Sequence, residues 1–232
     1  MPVMLASYED TSKHIEERPI ALGPDLSIRT FDAKGRFWIN GEDTAPENIS
    51  VDYVWLGFHI NASGNRQGVL ETLLRCKHIG VLQTFNASLD DPVYKRISNK
   101  GVRICNSNAQ AVGFSEYDLA QVLGLFHPFE VQCRQQAEQK WQRTPYREIS
   151  QTHWLIIGFG PIGQEVAKRL KAFGAGVSVV CCSPAPSELA DKDGTMDDLN
   201  AFAAKADVVL LACSLNDATE GVAIADLFSA IN

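Results

Sequence analysis

One glycine-rich stretch constrains the fold of this chain more than any other feature. The apolar residues 154–157 predict a buried β-strand, and Gly158, Gly160 and Gly163 follow it with G-x-G-x-x-G spacing. Residues 164–173 then show the periodicity of an amphipathic helix. A glycine turn between a strand and a helix is the context in which this spacing binds a dinucleotide. The stretch therefore predicts a dinucleotide site, and a merely tight strand-to-helix turn is the alternative.

Each residue of the turn has its own physical role in that prediction. Gly158 permits the tight turn, Gly160 lets a pyrophosphate approach the backbone, and Gly163 lets the helix pack closely on the strand. Pro161 suits the first helical position, where its missing N–H is not needed. The helix N-terminus presents free N–H groups and a partial positive charge to the phosphates. The cofactor-binding residues predicted here are Gly158, Gly160, Pro161, Ile162 and Gly163.

Composition limits which binding partners and which cellular compartment are expected for this chain. A net charge of −7 argues against nucleic acid and anionic membranes. No apolar run approaches the ~18 residues of a membrane span, and the N-terminus lacks the apolar core of a signal peptide. A cytoplasmic location is therefore expected. The six cysteines have neither C-x-x-C nor zinc-type spacing. They predict reduced thiols and no metal site, with a redox or metal role as the alternative.

Residues 1–114 predict an α/β domain. Residues 66–77 carry apolar side chains at 69, 70, 73 and 74, which is a helical stripe. A polar loop at 86–92 follows a strand, at the position where open α/β sheets collect ligands. The predicted strands are residues 3–8, 51–58 and 78–85, with 25–31 as a further candidate, and residues 102–108 predict another short strand and loop.

Residues 115–150 predict a long linking helix and a hinge. Ser115 and Asp118 have the spacing of a capping box, so the helix is expected to begin at Ser115. Pro128 lies inside the helical pattern and predicts a kink or break near His127.

Residues 151–232 predict a Rossmann-like nucleotide-binding domain. After the glycine turn, a strand is expected within 174–184, a helix capped by Thr195 and Asp198 within 195–206, and a third strand within 207–215. This βαβαβ unit is the first half of a doubly wound sheet, with strand order 3-2-1. With only that half encoded, one edge of strand 154–157 is expected to be unpaired, which invites association.

The order of these motifs resembles the D-isomer-specific 2-hydroxyacid dehydrogenases. The resemblance covers about residues 51–232 and is most specific between Cys105 and Thr219. Residues 51–55 and 76–84 are most similar to the glyoxylate/hydroxypyruvate reductase branch. The carrying motifs are N-S-N at 106–108, S-E-Y-D-L-A at 115–120, W-Q-R at 141–143, the glycine stretch 158–175 and A-D-V-V-L-L-A-C-S-L-N-D-A-T-E-G at 206–221.

The resemblance implies a flavodoxin-like substrate domain ahead of the Rossmann domain, an NAD or NADP cofactor, and often a homodimer. The substrate would be a small 2-oxo or 2-hydroxy acid such as glyoxylate or hydroxypyruvate, bound between the domains. Backbone N–H groups of a loop matching Asn86, Ala87 and Ser88 would hold its carboxylate, although the family has Ser-Ala-Gly there. Cys213 and Thr219 match positions that line the cofactor, and Ser214 replaces a usual proline.

The position of the family's ribose-binding acid falls at about Cys181, and no acid stands there or at the next two residues. An acid would repel the 2′-phosphate of NADP, so its absence favours NADP over NAD, although no arginine stands there to attract the phosphate. Ser183 could hydrogen-bond either a 2′-hydroxyl or a 2′-phosphate, or it could be a plain turn serine.

The family's catalytic arginine, glutamate and histidine follow the segment that matches residues 227–232, so they are expected after Asn232. The chain is accordingly expected to be a fragment or truncated product with little activity alone, and its five histidines are expected to be structural or solvent-facing. The competing hypothesis is a non-catalytic dinucleotide-binding or interaction protein. An unrelated Rossmann protein such as a methyltransferase fits the N-terminal unit and the linking helix less well.

Overall fold

The computed structural model describes residues 3–9, 11–13, 26–32, 34–39, 42–62, 64–85, 89, 91–184, 186–215, 219–222, 227 and 229. The chain forms two compact units, Met1–Ser107 and Asn108–Asn232. The domain limits 1–114, 115–150 and 151–232 drawn from the sequence stay a prediction about functional boundaries. No helix within the described ranges has both the length and the apolar character needed to cross a bilayer.

The first unit is built on a mostly parallel sheet. Its elements are β1 (Val3–Tyr8), β2 (Leu26–Phe31), β3 (Phe37–Ile39), β4 (Glu42–Thr44), a 3₁₀ turn (Pro46–Asn48), β5 (Ser50–Leu56), α1 (His59–Ala62), α2 (Arg66–Arg75), β6 (His78–Thr84), α3 (Pro92–Ser98) and β7 (Arg103–Cys105). The sheet order is β4-β3-β2-β1-β5-β6-β7, and β3 and β4 are its antiparallel members. The parallel part, β2-β1-β5-β6-β7, has the 2-1-3-4-5 order of flavodoxin-like sheets, as predicted.

Two helices cover this sheet with the apolar faces that their sequences predict. In α2, Val69, Leu70 and Leu73 are buried, which confirms the predicted stripe. In α3, Val93, Tyr94 and Ile97 are buried, and α2 and α3 pack against each other. These side chains join Val54, Leu56 and Leu82 of the strands in one apolar core.

The second unit begins with two helices and continues as a four-stranded parallel sheet. Its elements are α4 (Gln110–Phe126), α5 (Phe129–Ala137), a 3₁₀ turn (Ile149–Gln151), β8 (His153–Ile157), α6 (Pro161–Phe173), β9 (Gly176–Val180), β10 (Lys192–Gly194), a 3₁₀ turn (Met196–Asp198), α7 (Leu199–Ala203) and β11 (Val208–Leu211). The predicted capping box of Thr195 and Asp198 is present.

The break between α4 and α5 is confirmed, but the predicted start of the long helix is wrong. Phe126 ends α4, and His127 has extended backbone before Pro128, as the proline requires. However, α4 begins at Gln110, so Ser115 lies inside the helix and cannot cap it. The buried Ser115 hydroxyl donates instead to the carbonyl oxygen of Val112, at 2.7 Å. This local bond lets a serine occupy a helix interior.

The predicted unpaired edge of strand 154–157 is also wrong. The sheet order is β10-β9-β8-β11, so β8 pairs with β9 on one side and with β11 on the other. The short strand β10 pairs in parallel with β9 and takes its outer edge. The next strand, β11, therefore crosses to the opposite side of β8, and the strand order reverses there. Lys-Asp-Gly carries no apolar pattern, so strand β10 could not be predicted from the sequence.

Alternating side chains of β8 enter two separate apolar clusters. Trp154 and Ile156 pack with residues of α4 and α6, which contact each other. Leu155 and Ile157 pack on the opposite face with Ala203 and other small or aliphatic residues. The strand is thus covered on both faces, as parallel strands require, and this explains its unbroken apolar sequence.

Candidate cofactor-binding site

The turn after β8 is a position that only glycine can fill. Gly158 has φ of +97°, and its N–H donates to the carbonyl oxygen of Val180 at 2.8 Å. A Cβ added at Gly158 would lie 2.5 Å from the backbone nitrogen of Cys213. The chain leaving β8 therefore passes against the chain leaving β11. This is the point where the strand order reverses, which is the usual ligand site of open α/β sheets.

The start of α6 is equally close to that turn. A Cβ added at Gly163 would lie 2.3 Å from the carbonyl oxygen of Gly158 and 3.1 Å from Cγ2 of Ile156. Gly163 thus lets the first turn of α6 rest directly on the end of β8. The side-chain amide of Gln164 donates to the carbonyl oxygen of Phe159 at 2.9 Å and ties the turn to the helix.

Gly160 differs from the other two glycines because its missing side chain faces open space. It is the N-cap of α6, with φ of −74°, and an added Cβ would meet no atom within 4 Å. Pro161 occupies the first helical position, as predicted. The first N–H groups of the helix, including those of Ile162 and Gly163, have no acceptor within α6. Room beside the backbone, free donors and the positive end of a 13-residue helix together fit a pyrophosphate.

Charge near this helix terminus is partly compensated. Glu165 forms a salt bridge with Arg169, one turn further along α6. That hydrogen bond holds the pKa of Glu165 below its ordinary value, so the carboxylate stays charged but paired. The negative charge closest to the proposed phosphate position along the helix is therefore tied to a cation.

The three residues that directly follow β9, Cys181, Cys182 and Ser183, include no acidic side chain. Cys181 is half-buried, and its N–H donates to the carbonyl oxygen of Gly194 at 3.0 Å, so β10 holds the chain there. Cys182 and Ser183 are exposed. Residues 181–183 thus directly follow the carboxyl end of β9, and β9 pairs with β8, the strand that precedes the glycine turn.

Cys213 and Thr219 belong to the segment that follows β11. Cys213 is half-buried and lies against Gly158. Thr219 is buried, and its hydroxyl donates to the carbonyl oxygen of Ser214 at 2.6 Å. The structure thus places Cys213 against the glycine turn. Thr219 is hydrogen-bonded to Ser214, the residue that follows Cys213. Asn86, Ala87 and Ser88 lie outside the described residues.

Neither histidine of the second unit stands at the carboxyl ends of its strands. His153 begins β8, at the opposite end, and its Nε2 lies 2.7 Å from the buried Ser178 hydroxyl. The ring of His127 stacks on Tyr146, with centroids 4.8 Å apart. These contacts give both side chains structural roles.

Sequence reasoning missed a hydrogen-bond network at the carboxyl end of β6. Arg66, at the start of α2, donates to the hydroxyl of Tyr94 and to Oδ2 of Asp91, both at 3.0 Å. The Tyr94 hydroxyl is 3.2 Å from Oγ1 of Thr84. Asp91 is the N-cap of α3 and accepts from the Val93 N–H at 3.0 Å. An aspartate directly before Pro92 is a sequence signal for this N-cap. The contacts of Arg66 with Asp91 and Tyr94 match no sequence pattern, because these residues are far apart in the chain.

The second half of the chain matches a known family. Residues 119–232 fit the family model described as D-isomer specific 2-hydroxyacid dehydrogenase, NAD binding domain. These residues belong to the NAD binding domain of that family. The similarity of the chain to the human glyoxylate reductase/hydroxypyruvate reductase is 40% identity over 74 residues, which is 32% of this chain and 23% of the human protein. The Thermotoga maritima hydroxypyruvate reductase is 26% identical over 149 residues, 63% of this chain and 48% of that protein.

Solved structures of the family share the fold. The NADPH-dependent glyoxylate/hydroxypyruvate reductase of Sinorhizobium meliloti, in complex with NADP and sulfate, superposes with a TM-score of 0.74 at 17% identity and covers 100% of this chain and 68% of that one. A D-isomer specific 2-hydroxyacid dehydrogenase of Xanthobacter autotrophicus, with NADPH and MES, gives 0.70 at 18% identity over 100% and 70% of the two chains. The chain spans less than half of the two reductases matched by sequence.

Proposed function

We propose that the protein is an NAD(P)-dependent oxidoreductase that transfers hydride between a nicotinamide and a small 2-oxo or 2-hydroxy acid, such as glyoxylate or hydroxypyruvate. The observation that carries the proposal is the open space at Gly160, between the end of β8 and the first turn of α6. The dehydrogenase family and the two reductases among the relatives support the choice of substrate class.

The cofactor site consists of the glycine turn and the chain segments on both sides of it. The backbone at Gly158, Gly160 and Gly163 would hold the pyrophosphate, with Pro161 setting the helix start and Ile162 offering its N–H. A bound nicotinamide dinucleotide supplies the hydride donor or acceptor. Cys213 and Thr219 would line one side of it. Cys181 and Ser183 would lie by the adenosine ribose, and the missing acid there favours NADP over NAD.

The substrate carboxylate would be held by backbone N–H groups of Asn86, Ala87 and Ser88. These residues follow β6, at the carboxyl edge where parallel sheets bind their ligands. We further propose a homodimer. Its support is the exposure of large apolar side chains on and after α4, with Leu125 at 83% and Trp141 at 103% relative exposure. A cytoplasmic location belongs to the same proposal and agrees with the free thiols of all six cysteines.

A non-catalytic dinucleotide-binding protein is the second candidate. It is favoured by the positions of His153 and His127, which leave the described carboxyl edge of the second sheet without a histidine to exchange a proton with the substrate.

Two measurements test these candidates. Calorimetric titration of NADPH and NADH into the protein should show binding, which both candidates require. Nicotinamide absorbance in the presence of glyoxylate or hydroxypyruvate should then show turnover only if the protein is a reductase. Binding without turnover on any small 2-oxo acid would favour the second candidate, and no binding of either cofactor would refute both.

A further inference from the structure

We propose that Arg169 is a positioning residue that holds the carboxylate of Glu165 away from the cofactor phosphates and thereby sets the affinity of the glycine turn for the dinucleotide. The inference rests on the proposed function, which assigns the pyrophosphate to the backbone of residues 158–163. It deepens that function because it names a side chain outside the turn that controls binding at the turn.

Glu165 lies close to the backbone N–H groups that would bind the pyrophosphate. It is two residues beyond Gly163 on α6, which corresponds to about 3 Å along the helix axis. Helical side chains lean toward the helix N-terminus, so an unrestrained carboxylate at this position would lean toward the phosphates. An acid near a helix N-terminus stabilises the helix but repels an anion bound at the same end. Restraint and pairing of Glu165 should therefore favour dinucleotide binding.

Arg169, one turn further along α6, holds this carboxylate through contacts with two helices. Its Nη1 donates to Oε2 of Glu165 and, at 3.0 Å, to the backbone carbonyl oxygen of Glu165. Its Nη2 lies 3.6 Å from Oε1 of Glu116 on α4, the helix that packs against α6. The Arg169 side chain is 24% exposed. The guanidinium is thus fixed between α4 and α6, and it fixes the Glu165 carboxylate with it.

The chemistry of arginine suits this task. Its planar guanidinium offers several donors in a fixed geometry, whereas an ammonium group is a single point charge. The hydrogen bond from Arg169 is the largest influence on the pKa of Glu165 and lowers it. Glu165 is therefore ionised at neutral pH, and its charge is compensated by pairing with Arg169 and not by protonation.

Lys168 provides a matched control on the same helix. It is exposed, and it acts on Glu165 through its charge without a hydrogen bond. It is also one residue closer than Arg169 to the N-terminus of α6. An effect of helix charge alone therefore predicts at least as large a loss of cofactor affinity for Lys168→Gln as for Arg169→Gln.

The test measures the Kd for NADPH by calorimetry at about 0.01 M and about 1 M salt, where the Debye lengths are about 30 Å and about 3 Å. Arg169→Gln should raise the Kd about fivefold at the lower salt concentration and less than about twofold at the higher one. In the Glu165→Gln background, the same substitution should change the Kd less than about twofold, because no carboxylate is left to move toward the phosphates. Lys168→Gln should also change it less than about twofold.

Three outcomes would overturn the proposal. They are a Kd for Arg169→Gln within about twofold of the unsubstituted protein at low salt, an equal effect of Lys168→Gln, or an equal effect of Arg169→Gln with and without Glu165→Gln. Urea unfolding checks that each variant is folded. If Arg169→Gln does not fold, Arg169→Lys should still raise the Kd and Glu165→Gln should lower it, and an unchanged Kd in both would equally overturn the proposal.

Failure of the proposed function is seen separately with inorganic pyrophosphate as the probe. The amide chemical shifts of Ile162 and Gly163 report its binding at the turn without a nicotinamide. Pyrophosphate binding with the same dependence on Arg169 and Glu165, but no binding of NADPH or NADH, would support the role of Arg169 and contradict the proposed function. Unchanged amide shifts with pyrophosphate and with both dinucleotides would contradict both.

Discussion

Replacing Gly160 by alanine should separate cofactor binding from folding. The backbone at Gly160, with φ of −74°, suits any residue, and the added methyl group would meet no atom within 4 Å. Alanine is a poorer N-cap than glycine, which costs a few tenths to about 1 kcal/mol. It also reduces the freedom of the unfolded chain, which gains about 0.4–1 kcal/mol. The free energy of unfolding should therefore change by less than about 1 kcal/mol.

The same methyl group would stand where the pyrophosphate has to approach the backbone. A hydrogen bond to a charged group contributes about 1.5–3 kcal/mol, so the loss of one should raise the Kd for NADPH by about 10- to 100-fold. Calorimetry measures the Kd, and urea denaturation measures stability. A Kd within twofold of the unsubstituted protein would refute the assignment of Gly160 to the phosphates.

The neighbouring glycines provide the contrast. Gly158→Ala would force an alanine to φ of +97° and place its Cβ 2.5 Å from the backbone of Cys213. Such strain costs on the order of 1–3 kcal/mol. Gly163→Ala would press against the carbonyl oxygen of Gly158, at 2.3 Å, and overpacking of this kind costs about 1–3 kcal/mol. Both variants should lose stability, which Gly160→Ala should not. Equal stability of all three variants would contradict this account of the turn.

Three further predictions concern the same unit. Cys181→Asp should move cofactor preference toward NADH, since a carboxylate bonds the ribose diol and repels the 2′-phosphate; the ratio of the Kd values for NADPH and NADH measures it, and an unsubstituted protein that prefers NADH about tenfold would contradict the NADP preference. Thr152→Val should cost about 1–3 kcal/mol in urea unfolding, because it removes the buried acceptor, at 2.9 Å, of the Trp154 indole N–H. The hydrogen bond from Lys171 lowers the pKa of Asp191 below its ordinary value. The charged carboxylate therefore stabilises the folded protein fully at pH values above its pKa in the unfolded chain. This stabilisation is lost as the pH falls through the pKa of Asp191 in the folded protein. Asp191→Asn should flatten that acid limb of the stability curve, and an unchanged slope below pH ~4 would contradict the role of Asp191.

Features that depend on a few neighbouring residues followed from the sequence. The glycine turn, the break before Pro128, the Thr195–Asp198 cap and the stripe of α2 all lie where they were predicted. Each is decided by local physics: which backbone angles a residue can adopt, which side chain reaches the next N–H, and which positions share a helix face. The family resemblance extended this local information to the cofactor and the substrate class.

Strand partners and distant side-chain contacts were decided by the tertiary structure. Strand β11 was recognised from its apolar sequence, but its place beside β8 depends on β10, whose sequence carries no apolar pattern. The strand that β11 pairs with depends on which edges of the sheet the other strands already occupy. Arg66 likewise meets Asp91 and Tyr94 only because α2 and α3 pack together on the first sheet. Sequence spacing carries no record of such contacts, because packing of separate elements brings the residues together.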